Sequence, residues 1–508
     1  MRGPHNIWRL IRTGATFERA GAMRLALEAL EAPRHIRLAA RILGWPFAWL
    51  GIKGDPELPP VSRALTALGP AYIKFGQIMS TRPDVVGEAL ADELKRLQDD
   101  LPPFSMKIAH AAIEAELGAP VDTLFSEFSE AIAAASLAQV HKATVRATGQ
   151  TVAVKVLRPG IERAFMRDVD AFYLAATLIQ TLASRARRLK PKDVIEHFQS
   201  VVEGELDLRM EAAAAAEFRA NTIEDKGFDV PEIVWDLSNR RVICLDWAEG
   251  VRFGDIDALR NQGVDFIDLS ERVMQVFLKV ALRDGFFHGD MHQGNLKLGA
   301  AGEIIALDFG IMGRIDAYTR RVYAEILIGF LRKDYRRVAE VHFEAGYVPA
   351  DQDIDAFAQA LRSVGEPIFG QDATKISMAR LLAHLFDVTE RFGMETRTEL
   401  ILLQRTMVVV EGVARSLNPN MNMWQTAQPV VESYIGDNIG PKAVVRDLTK
   451  TVRILSRFGP LLPVMAERAL IDTNTPDEKP ERNTLPWWVW LLTGAGLAGG
   501  VAALLRLI

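Results

Sequence analysis

The stretch HGDMHQGN at residues 288–295 and the stretch LDFG at residues 307–310 decide the fold. Asp290 and Asn295 have the spacing of a phosphoryl-transfer loop, in which the aspartate orients a hydroxyl group and the asparagine carbonyl ligates magnesium. Asp308 follows a short apolar run, so it is predicted at the end of a strand, where its carboxylate would hold the metal. Each stretch alone also fits an ordinary loop or turn, but their order along the chain predicts one site.

A lysine-bearing strand precedes these two motifs. The segment TVAVKVL at 151–157 follows a Thr-Gly-Gln turn and is predicted as the second strand of a hairpin. Alternation places Ala153 and Lys155 on one face and three valines on the other. A lysine inside an apolar strand needs an anion, so phosphate oxygens and a partner carboxylate are expected. Spacing alone does not choose the partner among the acids of the long helical stretch 193–221, which are Glu203, Glu205, Asp207 and Glu211.

The composition is that of an ordinary globular chain. Its 508 residues, 49% hydrophobic and 25% charged, exclude a disordered chain, a collagen-like chain and a polytopic membrane protein. The length suggests about three domains. The net charge of −5 disfavours binding of nucleic acid, and none is expected as a partner. The single cysteine, Cys244, excludes a disulfide framework within the chain and fits a reducing compartment.

The N-terminal end differs from this average. Residues 1–53 contain nine arginines or lysines and three acids, a balance of +6. Arg34, Arg37 and Arg41 share one helical face with apolar side chains nearby, which is typical of a helix lying on an anionic membrane surface. A helix packed on the core, with its arginines in water, is the alternative.

The C-terminal end predicts a membrane anchor. Residues 487–505 read WWVWLLTGAGLAGGVAALL and carry no charge over nineteen positions, after a polar linker. This length matches a bilayer span, although a buried core helix is the alternative. Because no signal peptide is recognised, the part before the anchor is expected to be cytoplasmic. The Gly496 and Gly500 spacing leaves a homodimer open, although chance explains this spacing better in a segment so rich in Gly and Ala.

Around these motifs the chain resembles the AarF/UbiB family of atypical protein-kinase-like proteins, which is linked to ubiquinone biosynthesis. KFGQ at 74–77 is similar to the K-x-G-Q signature of that family, and AAAS at 133–136 resembles its alanine-rich loop. ELD at 205–207 resembles its E-x-D motif, and Glu211 stands where the family has the glutamate that pairs with the strand lysine.

The resemblance implies an α+β, atypical protein-kinase-like two-lobed fold. Its N-lobe is small and mixed, its C-lobe mainly helical, and it has a helical N-terminal extension and a C-terminal transmembrane helix. The expected divisions are a basic membrane-facing segment at 1–58, the K-x-G-Q extension at 59–119, the N-lobe at 120–247, the C-lobe at 248–470, a linker at 471–486 and the tail anchor at 487–508.

The resemblance also implies a site for ATP or ADP with Mg²⁺. Asp290 would position the nucleophile, Lys155 would contact the phosphates, and Asn295 and Asp308 would hold the metal. The expected nucleotide-binding residues are Ala133, Ala134, Ala135, Ser136, Val140, Lys155, Glu211, Leu245 and Trp247. The K-x-G-Q segment would cover the site, Lys74 meeting Glu205 or Asp207, so the expected regulatory residues are Lys74, Gln77, Glu205 and Asp207.

The function expected from this resemblance is that of an ATPase anchored by a single span in the bacterial inner membrane. Anionic lipids and isoprenoid-quinone intermediates, or the enzymes that make them, are the expected partners. A non-catalytic nucleotide-binding scaffold and a small-molecule or lipid kinase are the alternatives. A protein kinase is disfavoured, because alanines restrict the backbone of the phosphate loop and because no A-P-E follows Gly310.

Overall fold

The computed structural model describes most of the chain up to residue 438. The described residues are 5–29, 45–80, 86–94, 97, 102–182, 190–369, 388, 391–394 and 398–438. The predicted linker and tail anchor, at 471–486 and 487–508, lie outside them, as do Arg34, Arg37 and Arg41. Within the described ranges, no helix is both long enough and apolar enough to cross a bilayer.

Short helices form the N-terminal extension. They are α1 (His5–Ala20), α2 (Met23–Ala29), α3 (Pro60–Leu68), α4 (Pro70–Ser80), α5 (Glu88–Leu94), α6 (Met106–Leu117) and α7 (Val121–Leu124), with a 3₁₀ turn at Trp45–Leu50. Helix α4 carries the K-x-G-Q motif. Its Phe75 ring packs against Phe172 and Phe198, with ring centroids 5.1 and 5.2 Å away. The extension is therefore joined to the kinase-like body through a shared aromatic core.

The N-lobe is built on one antiparallel sheet. Its strands are β1 (Phe125–Ala134), β2 (Ala138–Val145), β3 (Thr151–Leu157) and β5 (Val242–Asp246), in the order β1-β2-β3-β5. The predicted hairpin of β2 and β3 is confirmed, and Val152, Val154 and Val156 are fully buried on one face. Cys244 packs in the same apolar cluster, and burial raises the pKa of its thiol to about 12. Ala153 and Lys155 therefore face the opposite side, toward the cleft.

The helices behind this sheet correct one expectation. They are α8 (Ile161–Leu182), α9 (Pro191–Glu205) and α10 (Leu208–Thr222). The stretch 193–221, expected as one long helix, is broken at Leu206 and Asp207, where Asp207 accepts a hydrogen bond from the Arg209 N–H as the N-cap of α10. An aspartate can satisfy the free N–H groups of a helix start, which favours a new helix at this point.

The C-lobe combines small sheets with many helices. Its strands are β4 (Phe228–Asp229), β6 (Val251–Arg252), β7 (Phe286–His288), β8 (Leu296–Leu298), β9 (Ile304–Ala306) and β10 (Met312–Arg314). One sheet has the order β4-β9-β8-β6, and β7 pairs with β10. Its helices are α11 (Ile256–Asn261), α12 (Phe266–Lys279), α13 (Ala317–Leu331), α14 (Tyr335–Glu344), α15 (Ile354–Phe369), α16 (Thr398–Leu417) and α17 (Met423–Asn438).

This arrangement brings the two motifs of the C-lobe together. The 288–295 loop connects β7 to β8, and Asp308 follows the end of β9, as expected from the apolar run before it. Strands β8 and β9 are antiparallel neighbours, so the start of one and the end of the other lie side by side. The α+β, kinase-like character of the fold is confirmed for the described residues.

Candidate active site

The strand lysine forms a closed ion pair with one glutamate of α10. The Nζ atom of Lys155 lies 2.7 Å from Oε1 and 2.8 Å from Oε2 of Glu211. The two side chains are only 19% and 10% exposed. Of the four acids that the sequence left open, Glu211 is therefore the partner, as the resemblance implies.

The same lysine also faces Asp308, whose Oδ1 lies 3.4 Å from Nζ. The charge of Lys155 lowers the pKa of Asp308 to about 2. Burial acts to lower the pKa of Lys155, but the charges of Asp308 and Glu211 outweigh it and raise this pKa. Both groups are therefore ionised at neutral pH, as a site for a metal-bound polyphosphate requires.

Asp308 has an unusual backbone conformation. Its φ is 57°, in the left-handed region that only a few non-glycine residues adopt, with Asp and Asn enriched among them. Its Oδ1 accepts a hydrogen bond from the Gly310 N–H at 3.3 Å. Its side chain remains 52% exposed, so this conformation holds the carboxylate toward the open cleft.

A buried histidine joins the catalytic loop to the Asp308 segment. The Asp290 N–H donates to Nδ1 of His288 at 3.0 Å, so Nε2 carries the ring proton and donates to the Leu307 carbonyl at 2.9 Å. Burial lowers the pKa of His288 and favours its neutral form. This histidine has a structural role, because both ring nitrogens are occupied by backbone groups.

The remaining loop residues are oriented by similar contacts. The Asn295 Nδ2 donates to the Asp290 carbonyl at 3.0 Å, which turns the amide oxygen away and leaves it as an acceptor. The Asp290 carboxylate is 36% exposed, and its Oδ2 lies 3.7 Å from Nε2 of His292. Asp290 therefore has a carboxylate that a substrate hydroxyl can reach.

The oxygen donors present fit a magnesium ion that arrives with a nucleotide. No cluster of three or more His, Cys, Asp or Glu in the described part of the chain could hold a metal. Magnesium typically takes one or two carboxylates and completes its shell with phosphate and water oxygens. The free amide oxygen of Asn295 and the exposed carboxylate of Asp308 match that need.

The alanine-rich loop is shorter than expected and is held by an arginine. Ala133 and Ala134 are the last residues of β1, so only 135–137 form the loop. The Ala135 N–H donates to the Ala138 carbonyl at 2.7 Å. The Arg158 guanidinium donates to the Ala135 carbonyl from Nε at 3.1 Å and from Nη2 at 3.0 Å. Ser136 is buried, so a phosphate would meet the backbone of this loop before the serine hydroxyl.

Sequence reasoning did not single out Arg158. The signal for it was an arginine directly after the lysine-bearing strand, in the Arg-Pro-Gly turn at 158–160. Its Nη2 also lies 2.9 Å from the Pro102 carbonyl, so this one side chain connects the loop to the N-terminal extension.

Three more of the expected nucleotide-binding residues, Val140, Leu245 and Trp247, lie on or next to the sheet of the N-lobe. Val140 is opposite Lys155 in the β2–β3 register, and Leu245 is opposite Ala153 in the β3–β5 register, so both lie on the cleft face. The Trp247 N–H donates to the Thr151 carbonyl at 3.0 Å, so this N–H is used by the sheet. A bound base would therefore need a hydrogen-bond donor other than this N–H.

Two lysines flank the Trp247 ring. The Nζ atoms of Lys142 and Lys297 lie 4.6 and 5.1 Å from the ring centroid. The Lys297 ammonium also donates to the Ala248 carbonyl at 2.7 Å. Lys297 was missed by sequence reasoning, although its place two residues after Asn295 in a strand marks it as facing opposite to Leu296 and Leu298.

The K-x-G-Q helix reaches the same site through Lys74. Its Nζ lies 2.7 Å from Oε1 of Glu205, and the two side chains are 13% and 12% exposed. Asp207 instead caps α10 and pairs with Arg209, so the two acids of the E-x-D motif have different contacts. Gln77 is at the edge of hydrogen-bond distance, 3.5 Å, from the Leu97 carbonyl.

Gly76 of this motif permits close packing. A Cβ atom at this position would lie 2.4 Å from Cδ1 of Leu97 and 2.7 Å from Cδ1 of Leu65. Both distances are far below van der Waals contact, so a larger residue would force these leucine side chains to move. The glycine therefore allows the close packing of α4 against Leu65 and Leu97.

These features define the class of the protein. A lysine–glutamate pair under a four-stranded sheet, a D-x-x-x-x-N loop and a D-F-G segment on a helical C-lobe are the parts of an atypical kinase-like protein. The family description "ABC1 atypical kinase-like domain" matches residues 96–342, and "UbiB helical domain" matches residues 361–422.

Curated relatives are similar over most of the chain. The "Probable protein kinase UbiB" of Marinobacter nauticus is 39% identical over 429 residues, 83% of this chain and 78% of that protein. The protein of the same name from Pseudomonas putida is 39% identical over 479 residues, 92% and 88% of the two chains. The chain therefore belongs to the UbiB family. A solved structure of a Mycobacterium tuberculosis protein in complex with erythromycin has a TM-score of 0.49 and 22% identity, and the match covers 71% of this chain and 92% of that one.

Proposed function

We propose that this UbiB-family protein is a membrane-associated, kinase-like ATPase that supports ubiquinone biosynthesis by acting on lipid intermediates or on the enzymes that process them. The arrangement of Lys155, Glu211 and Asp308 carries the proposal, because a closed lysine–glutamate pair beside an exposed, ionised aspartate is the arrangement that binds metal-bound nucleotide in kinases. Mg-ATP is the proposed substrate.

In the proposed reaction each residue has one task. The Lys155 ammonium binds the α- and β-phosphates, and Asn295 and Asp308 would hold magnesium, which neutralises the charge that develops on the phosphates. An oxygen of water or of a small hydroxyl forms a bond to the terminal phosphorus. The bond from this phosphorus to the bridging oxygen breaks, and its electron pair stays on ADP. The proton of the attacking oxygen passes to the Asp290 carboxylate and then to solvent.

The segment after Asp308 favours water or a small hydroxyl over a protein as acceptor. Strand β10 begins at Met312, pairs with β7, and is followed by α13 from Ala317. Only a few residues therefore separate Gly310 from the next helix, whereas kinases that bind peptides use a longer activation segment there. A small-molecule or lipid acceptor fits this short connection.

The proposal is tested by measuring release of phosphate from Mg-ATP by the purified full chain, with and without vesicles of anionic lipid. Turnover that depends on Asp308 supports an enzyme. Nucleotide binding without turnover would support the alternative, a scaffold that gathers the biosynthetic enzymes.

We also propose that the N-terminal segment lies on an anionic membrane, and that residues 487–508 anchor the chain in the bacterial inner membrane, with the kinase-like body in the cytoplasm. Large apolar side chains on α1 and the 3₁₀ turn support this. Ile7 and Trp8 are 56% and 55% exposed, and Phe47 and Trp49 are 50% and 74% exposed. Exposed aromatic residues in a segment of net charge +6 suit the interface of a bilayer.

Replacing Trp8 and Trp49 together by Ser should weaken binding to anionic vesicles by about tenfold, because two interfacial side chains are lost. Co-sedimentation of a chain that ends at residue 470 measures this without the predicted anchor. Trp235→Ser is the matched control, because Trp235 is 55% exposed on a different part of the protein. Equal loss in both variants would argue against a specific membrane-facing segment.

We propose that the Lys74–Glu205 pair holds the K-x-G-Q helix as a cover over the site. Lys74→Ala should change the ratio of ATP to ADP affinity by about threefold to tenfold, since a nearly buried ion pair is lost beside Lys155 and Glu211. It should also allow autophosphorylation. Lys192→Ala, at an exposed position in α9, is the control. If nucleotide preference and autophosphorylation are both unchanged by Lys74→Ala, the helix is not a cover.

A further inference from the structure

Helix α16, far along the chain in the helical domain, lies directly against the catalytic loop. The Thr406 hydroxyl is 3.0 Å from the Gly289 carbonyl, and both groups are buried. A Cβ atom at Gly289 would lie 3.3 Å from Cδ1 of Leu402. The Gln293 Nε2 donates to the Ser416 hydroxyl at 2.6 Å. Two turns of α16 therefore fix the loop that carries Asp290.

Arg405 is placed by these same contacts. It follows Leu402 by three residues, so the two side chains are neighbours on the surface of α16. The Asp290 carboxylate acts on its guanidinium: burial lowers the pKa of Arg405, and the charge of Asp290 acts in the opposite direction. An arginine remains charged under either influence.

The guanidinium is available for a ligand. Part of the Arg405 side chain reaches solvent, although the surrounding protein partly desolvates its guanidinium. Among the described residues, no carboxylate forms an ion pair with it, whereas Arg415 on the same helix pairs with Glu411 at 2.7 Å. Among these residues Arg405 therefore has no carboxylate partner, whereas Lys155 and Lys74, which lie at the same cleft, each have one.

The catalytic loop itself lacks such a charge. Residues 288–295 contain no lysine and no arginine. Kinase-like reactions spread negative charge over the oxygens of the transferred phosphoryl group, and a positioned cation there raises the rate strongly. Lys155 is paired with Glu211 and faces Asp308, so a cation on the Asp290 side would add to the positive charge that Lys155 and magnesium would supply.

We propose that Arg405 is a catalytic residue that contacts the terminal phosphoryl group of the nucleotide next to Asp290, so that the helical domain completes the active site. This inference rests on the proposed ATPase function. As the attacking oxygen bonds to the terminal phosphorus and the bond to the bridging oxygen breaks, the guanidinium donates to the phosphoryl oxygens that gain charge. It takes up no proton and forms no covalent bond.

The test compares kcat, KM and nucleotide affinity. Arg405→Gln should lower kcat for phosphate release about thirtyfold to a hundredfold and change the affinity for Mg-ATP by less than about threefold, since the contact strengthens in the transition state. Arg405→Lys should recover a large part of kcat. Arg362→Gln, at an exposed position in α15, is the matched control and should behave as wild type.

The outcomes separate this inference from the function on which it rests. The inference is wrong if the wild type hydrolyses ATP and Arg405→Gln has the same kcat. It is also wrong if Arg405→Lys is as impaired as Arg405→Gln. In both cases the proposed ATPase function is unaffected. If the wild type releases no phosphate, both are wrong. Thermal unfolding checks that each variant is folded, and Arg405→Met replaces the glutamine variant if that one is not.

Discussion

Replacing Asp308 by Asn should lower the rate of phosphate release from Mg-ATP by about a thousandfold. Loss of a charged metal ligand costs several kcal/mol of barrier, and each 1.36 kcal/mol corresponds to a factor of about ten. The carboxylate is ionised at neutral pH, because Lys155 lowers its pKa to about 2. The amide is neutral and binds magnesium more weakly, so the phosphates lose most of their charge neutralisation.

The substitution is suited to separating chemistry from folding. Asn tolerates the left-handed conformation of residue 308 about as well as Asp does, so the backbone at φ 57° should be kept. Asp236→Asn, at an exposed position in the N-lobe, is the matched control and should leave the rate unchanged. If Asp308→Asn released phosphate from Mg-ATP at the wild-type rate, the proposed ATPase function would be wrong.

Quinone profiling extends this test to the cell. A deletion strain that expresses the Asp308→Asn variant should have the same levels of quinone intermediates as the deletion strain without any complementing gene. Expression of the wild-type chain should restore quinone levels. If the variant binds nucleotide, lacks turnover and still restores quinone levels, the scaffold function replaces the ATPase function.

The second large effect is on stability. Lys155→Met should lower the free energy of unfolding by about 2–4 kcal/mol, because Glu211 would lose its cation in a nearly buried position, where burial already raises its pKa, and would have to stay an unpaired carboxylate or take up a proton. This expected loss of stability depends on the low exposure of the Glu211 side chain, 10%, since a solvent-exposed ion pair would contribute little to the free energy of unfolding. The variant should also bind Mg-ATP about tenfold more weakly. Urea unfolding and nucleotide titration measure the two effects.

A double substitution distinguishes the two roles of the pair. Lys155→Met with Glu211→Met removes both charges and places apolar side chains of similar size in the cleft wall, so stability should return to within about 1 kcal/mol of wild type. Nucleotide binding and turnover should stay low. If the double variant were as unstable as Lys155→Met alone, the loss would have to come from packing and not from the unpaired carboxylate.

Local sequence patterns predicted individual elements well. Alternation in 151–157 placed Lys155 on the face opposite the buried valines, and the apolar run before Asp308 predicted a strand that ends there. These features depend on neighbours a few residues away, which periodicity describes directly.

The helical stretch 193–221 shows where periodicity fails. On one continuous helix, Glu205 and Glu211 would be about 120° apart, so they could not both face the cleft. The break at Leu206 and Asp207 gives each glutamate its own helix, and each then meets its own lysine, Lys74 or Lys155. Spacing along the chain could not show this, because it assumes the helix is unbroken.

The sequence by itself determined the chemistry that is present: the lysine strand, the aspartate and asparagine of the loop, the D-F-G segment and the family to which they point. Only the tertiary structure decided which groups meet. Arg158 bonds to Ala135 of the alanine-rich loop, 23 positions earlier in the sequence. Thr406 contacts Gly289, which lies 117 positions earlier. Such contacts follow from the packing of whole elements against one another, and no pattern of one element's residues specifies its partner.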